Sequence, residues 1–455
     1  MTNHDLIEDN SYFRHILEHQ KKYLLSLLLV IAAAKIISNY FGGKPFLIGG
    51  ESYYYLAISQ QGLVLNPLAA LLSITPSSAH FLLPPLAAAM TLLLFLHAAK
   101  KLEISEKTTF FAGLFAVMSP IFILSLVSFF GPLFFLLLSL AGFSLLLRQD
   151  RSRYWSLLPF ITAAFFDLFS TAALLLLLAL YFFINKTIRE KFSLLTLAAL
   201  ASLLTLNGVY LRQPAVLGPF HIQQVVPDLI SDLGGWGGVG FFTMMLAIIG
   251  LFFCWKKKWF FIALPLTGLF AASFILNTQS ILFLSCCIIG FAAKGLIGLF
   301  EQRWVLPFMK KTSFLLLLLG ILFSAAVYAG RISDYPPSEA DINALNWIKD
   351  NTLPDAIVLS VPENSYYIQY FALRQPVFSL HDNYRRQTAL SATIFSSTYI
   401  EELFPILEGN NVSIIYVDEE MKKTLPQDQG FRFLLNNERF KLLYSSKNQE
   451  VWSFR

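Results

Sequence analysis

Apolar runs of near-bilayer length, broken by short polar stretches, dominate the first 330 residues. We place spans at about 22–40, 80–98, 110–128, 132–147, 154–168, 171–185, 192–209, 237–254, 259–276, 281–299 and 312–330. Each approaches the ~20 consecutive apolar residues that carry a helix across a ~30 Å hydrocarbon core. The pattern predicts a polytopic α-helical membrane protein with about eleven transmembrane helices in residues 22–330. The polar segment 1–21 lacks a short apolar core followed by a small-residue cleavage site, so the first span reads as an uncleaved anchor.

Beyond Gly330 the periodicity changes. Residues 331–455 predict a compact α/β domain, of ordinary size for one domain. Ser338-Glu-Ala-Asp341 has the spacing of a capping box and predicts a helix through Trp347. Ala356–Val361 and Ser413–Val417 are short apolar runs that read as buried strands, with Phe440–Ser445 and Glu450–Phe454 as closing strands.

Composition agrees with the spans: 56% of residues are hydrophobic and 14% charged. Charge gives the membrane part a direction. Lys21 and Lys22, then Lys100, Lys101 and Lys107, then Arg148, Arg151 and Arg153 fill alternate loops. Lys186, Arg189 and Lys191, then Lys256 to Lys258, then Arg303, Lys310 and Lys311 continue the series, while the opposite loops are nearly bare of Lys and Arg. Basic loops stay on the cytoplasmic side. This predicts a multi-pass protein of the plasma membrane with a cytoplasmic N-terminus. Loops 41–79 and 210–236 and the domain 331–455 are then extracytoplasmic. The net charge of +5 follows from these loops and does not indicate nucleic acid as a partner. The three cysteines fall in or beside apolar spans and offer neither a disulfide framework nor a spaced metal site.

Candidate chemistry concentrates in the outer segments. Ile48–Ser59 sets one carboxylate, Glu51, between two glycines and Tyr53, Tyr54 and Tyr55. A carboxylate there can ligate a divalent cation through hard oxygen; the same stretch also fits an interfacial aromatic belt around a solvated glutamate. Asp167, near the outer end of an apolar hairpin, is an ionisable group at membrane depth unless the following turn lifts it to water. Arg212 and His221 can hold a donor phosphate or stand as ordinary loop residues. Lys35 and Lys294 lie near span ends, where long cationic side chains snorkel.

Four stretches together resemble the catalytic subunit of oligosaccharyltransferases, especially the archaeal forms, from the first span to about Asn383. Glu51-Ser-Tyr-Tyr-Tyr-Leu56 is similar to the family's Asp-x-Tyr-Tyr-His-Leu, with Glu51 at the metal-binding aspartate and Tyr55 at the histidine. Ser128-Phe-Phe-Gly-Pro-Leu133 resembles the stretch ending Gly-Phe-Phe-Asp-x-Asp, with Gly131 and Leu133 at the acidic positions. His221-Ile-Gln-Gln224 resembles Thr-Ile-x-Glu, with Gln224 at the glutamate that contacts the acceptor amide. Val361-Pro-Glu-Asn-Ser365 lies where the family carries Trp-Trp-Asp-Tyr-Gly, with Glu363 at the aspartate and Asn364 beside it.

The resemblance implies a GT-C-like fold and a divalent cation, Mg2+ or Mn2+, with Glu51 as ligand or, without metal, as catalytic base. It implies a polyprenyl-phosphate-linked glycan as donor and a polypeptide as acceptor. Three of the four stretches have replaced the group that this chemistry uses. Two readings therefore follow: a lipid-linked glycosyltransferase that does not perform standard sequon transfer, or a non-catalytic relative serving as a glycan- or peptide-binding or assembly subunit. A small-solute transporter would need charged groups along a central path, and only Asp167 meets that need.

Overall fold

The structure, a computed structural model, describes residues 11–41, 45–60, 67–148, 151–166, 168–184, 201, 222–257, 260–276, 280–302, 304–332, 335–378, 384–426, 429–446 and 448–454. The chain divides into two compact units. The first comprises residues 1–38, 77–215 and 220–333, and the second comprises 39–76, 216–219 and 334–455.

The first unit is helical. Among the described residues, Gln20–Phe41, Ser77–Lys101, Ile281–Glu301 and Phe308–Arg331 are long and apolar enough to cross a membrane. Gly131–Leu146, Ser170–Ala179, Phe241–Cys254 and Ala263–Ile275 are apolar but shorter. Two of the expected spans take a different form. The run 110–128 breaks at Ser119, which is extended at φ −73°, ψ 139°, between helices Glu106–Met118 and Pro120–Ser125. Pro120 causes this, because the proline ring disfavours the helical region for the residue before it. The run 154–168 becomes a 3-10 stretch, Arg151–Ser156, and an eight-residue helix, Leu157–Ala164. The expected span 192–209 lies outside the described residues.

Helices Phe241–Cys254 and Ile281–Glu301 meet at two glycines. A Cβ on Gly250 would fall 1.9 Å from the Phe291 carbonyl oxygen, and one on Gly295 would fall 2.0 Å from that of Leu246. Backbone-to-backbone approach of this kind is how helices pack where lipid removes the hydrophobic drive between them. Lys35, expected to snorkel, is instead buried at 5% exposure, and its Nζ donates to the Ala329 carbonyl of the last long helix at 3.2 Å.

The second unit contains a five-stranded sheet in the order β2-β1-β3-β5-β4. Its strands are β1 (Ile357–Leu359), β2 (Gln375–Pro376), β3 (Val412–Val417), β4 (Phe440–Ser445) and β5 (Glu450–Phe454). β1 is parallel to β2 and β3, while β5 is antiparallel to β3 and β4. The four strands expected from the apolar runs are present; β2, two residues ending in proline, carries no alternating pattern to read. Leu359, Phe378, Leu403, Ile415 and Phe431 anchor the core. The capping box forms as its spacing requires: Ser338 Oγ accepts from Asp341 N–H, and the Asp341 carboxylate accepts from Ser338 N–H at 2.8 Å. Helix Glu339–Asn351 ends against buried Arg374, whose guanidinium donates to the Lys349 and Thr352 carbonyls at 2.7 Å. A cation there complements the helix C-terminus.

Candidate functional site

Glu51 lies in the first turn of helix Gly50–Gln60, where a carboxylate complements the positive end of the helix. Backbone freedom sets up that turn. Gly49 has φ +80°, a conformation that disfavours other residues, and its N–H donates to the Pro336 carbonyl at 3.0 Å. Gly50 packs under Tyr366: a Cβ there would lie 2.9 Å from Tyr366 Cδ2 and 3.8 Å from the Glu363 carbonyl oxygen. The segment carrying Glu51 therefore belongs to the same unit as the C-terminal domain, against the segment that carries Glu363.

Aromatic rings hold the two segments together. Tyr53 is buried; its ring packs on Tyr367, Tyr370 and Phe371 at centroid distances of 5.4, 5.3 and 4.9 Å, and its hydroxyl donates to the Leu47 carbonyl at 2.9 Å. Tyr54 packs on Tyr366 at 5.3 Å and on Tyr55 at 5.0 Å. Burial, and then the nearby Glu51 charge, push the Tyr54 phenol well above its ordinary range. Tyr54 thus stays a neutral hydroxyl beside a carboxylate. Tyr55 is buried.

The partner segment passes from a 3-10 turn, Pro362–Asn364, through Ser365–Tyr367 into a π-helical turn, Ile368–Ala372. Wide turns of that kind recur at functional sites. Glu363 is exposed by surface area, yet enough protein surrounds its carboxyl that partial desolvation, together with the charges of Glu420 and Asp418, raises its pKa. Asn364 is turned inward. Its amide nitrogen donates to Ser360 Oγ at 3.0 Å and to Asp418 Oδ2 at 2.6 Å, which occupies both of its N–H donors. Burial, the first cause, raises the Asp418 carboxyl, and the bonds from Met421 N–H and Asn364 partly offset it.

The remaining positions belong to the first unit or lie outside the described residues. Gln224 lies in helix Ile222–Leu229 of the first unit, and its side chain lies outside the described residues, as do Arg212, His221 and Asp167 altogether. Asp228 and Asp232, on the same expected loop, staple it. Asp228 accepts from Trp236 N–H at 3.1 Å; Asp232 accepts from Phe241 N–H and from the Ser324 hydroxyl, each at 2.6 Å. Gly131 and Leu133 are buried at the start of helix Gly131–Leu146, within a stretch whose side chains are buried throughout 117–135.

No protein-family model and no curated protein sequence matches the chain. Solved structures do. An oligosaccharyltransferase of Archaeoglobus fulgidus, tethered to an acceptor peptide containing an NVT sequon, superposes with TM-score 0.58 at 13% identity, over 98% of this chain and 75% of that one. The archaeal oligosaccharyltransferase AglB of the same organism, in complex with an inhibitory peptide and a dolichol-phosphate, gives TM-score 0.57 at 12% identity, over 95% and 74%. ArnT from Cupriavidus metallidurans, bound to undecaprenyl phosphate, gives TM-score 0.55 at 11% identity, over 95% and 97%. The chain has a GT-C-like membrane fold.

The divalent cation that the sequence resemblance led us to expect finds no ligand set among the described residues around Glu51. Hard cations take several oxygens. Among the described residues, no set of three His, Cys, Asp or Glu side chains gathers around Glu51, and Gly131 and Leu133 offer no side-chain oxygen.

The sequence also left some residues unmarked. Tyr366, Tyr370 and Asp418 hold the site together, but an isolated tyrosine or aspartate gives no local signal of its partner. His15-Ile-Leu-Glu-His19 carries a readable spacing of its own.

Proposed function

We propose that the protein is a membrane glycosyltransferase of the lipid-linked-donor type. A polyprenyl-phosphate- or pyrophosphate-linked glycan would bind at its extracytoplasmic face with Glu51 at the reacting end. Arg212 and His221 would hold the donor phosphate, and Gln224 and Glu363 would line the acceptor side. The observation that carries this reading is the fold likeness over nearly the whole chain to relatives bound to dolichol-phosphate and to undecaprenyl phosphate.

With no such ligand set around Glu51 among the described residues, the reaction is best written through the base. An acceptor hydroxyl or amine gives its proton to the Glu51 carboxylate and bonds to the anomeric carbon. The bond from that carbon to the phosphate oxygen breaks, and the polyprenyl phosphate departs with the electron pair. We do not assign metal-dependent transfer to an Asn-x-Ser/Thr sequon, because Gly131, Leu133 and Gln224 replace its acidic groups and the Asn364 amide is engaged inside its own domain. Those same replacements support the second reading, a non-catalytic subunit that binds glycan or peptide.

Purified protein is incubated with undecaprenyl phosphate, and separately with a lipid-linked oligosaccharide and a sequon peptide in Mg2+ or Mn2+. Thermal stabilisation by the polyprenyl phosphate, without glycopeptide, is expected. Lack of stabilisation refutes the donor class. Metal-dependent glycopeptide formation that Glu51→Ala abolishes refutes the exclusion of sequon transfer.

A further inference from the structure

One cluster of ligand-bearing side chains lies far along the chain from Glu51, ahead of the first long helix. His15, Glu18 and His19 occupy positions i, i+3 and i+4, which share one face of a helix. One ring nitrogen of each histidine and a carboxylate oxygen of Glu18 lie within 4.8 Å of one another, and among the described residues this is the grouping of three such side chains. The imidazole rings approach to 4.4 Å between centroids.

Ligands about 2.1 Å from a tetrahedral zinc ion stand about 3.4 Å apart, so small side-chain rotations would close the set. The histidine tautomer favours this. His19 Nδ1 lies 3.2 Å from the His15 carbonyl oxygen, which can only accept; a neutral ring making that bond carries its proton on Nδ1 and offers the Nε2 lone pair. A ligating histidine commonly donates its other ring N–H to a carbonyl in this way. All three side chains are solvent-accessible. The competing partner of Glu18 is Arg14, 3.6 Å away in a pair exposed on both sides, which water and salt weaken.

We propose that His15, Glu18 and His19 form a binding site for a borderline divalent metal ion, Zn2+ by its preference for imidazole with carboxylate, completed by water. Helix Ser11–Glu18 ends one residue before His19, the turn residue that leads directly into helix Gln20–Phe41. A bound ion would therefore clamp the junction between the polar segment and the first long helix. The proposal does not depend on the glycosyltransferase reading.

Full-length protein, purified in detergent without a histidine tag, is titrated with Zn2+ alone by calorimetry. One saturable ion per chain with Kd in the micromolar range is expected. The His15→Ala/His19→Ala double variant should weaken it at least about 10-fold. Glu51→Ala should leave it unchanged, Arg14→Ala should leave it unchanged or tighten it, and excess Mg2+ should not compete. Absence of saturable binding, or binding of unchanged affinity in the double histidine variant, would overturn the site.

Discussion

Gly50 and Tyr366, more than three hundred residues apart, pack so closely that a Cβ on Gly50 would stand 2.9 Å from the tyrosine ring. The offending atom belongs to a ring held against Tyr54 at 5.3 Å, so it has little freedom to retreat. This contact sets how near the Glu51 turn comes to the segment carrying Glu363.

Gly50→Ala is therefore expected to destabilise the second unit, although alanine is the better helix former. Overpacking costs typically about 1–3 kcal/mol, whereas the helix-propensity gain is about 1 kcal/mol in a helix interior and less in a first turn. A lower melting temperature, with faster hydrogen exchange in 48–60 and 362–372, is the expected result. An unchanged or higher melting temperature would show that Tyr366 yields freely.

Glu363 makes the second unit pH-sensitive. Its folded pKa lies above the ordinary value, so folding favours the protonated carboxyl. That contribution is complete below the unfolded pKa of about 4.3 and is lost as pH rises through the raised folded value. Glu363→Gln should then raise the melting temperature at neutral pH, and the difference should vanish near pH 4. Asp418, raised in the same direction, retains part of the dependence in that variant. A Glu363→Gln protein less stable than the parent at neutral pH would contradict the assigned sign.

The alternation of basic and bare loops predicts which face each segment meets. In a cysteine-free background, a membrane-impermeant thiol reagent added outside intact cells should label an engineered cysteine at Asn436, which is exposed on the C-terminal domain. It should spare one at Lys257, exposed at the end of helix Phe241–Cys254. The reverse pattern would invert the topology and remove Glu51 from the extracytoplasmic face.

What the sequence determined was local. Span-length apolar runs need only consecutive residues, because the bilayer requires each helix to satisfy its own backbone. The capping box at Ser338 and Asp341 and the β3, β4 and β5 strands needed only short spacings. The break at Ser119 was equally local: Pro120 marks it, but an apolar run hides it from a hydropathy reading. His15-x-x-Glu-His19 also stood in plain spacing, and the contact of His19 Nδ1 with the His15 carbonyl four residues back is equally local. The tertiary structure decided what lies beside Glu51. Tyr53 and Tyr54 look like an interfacial belt in the sequence, yet they pack on Tyr366, Tyr367, Tyr370 and Phe371. Close packing between distant segments is selected by shape, and no periodicity along the chain records which ring will fill which space. The same reason applies to Asn364: its residue type suggests a contact with an acceptor, and only its placement between Ser360 and Asp418 shows both amide N–H groups already donated.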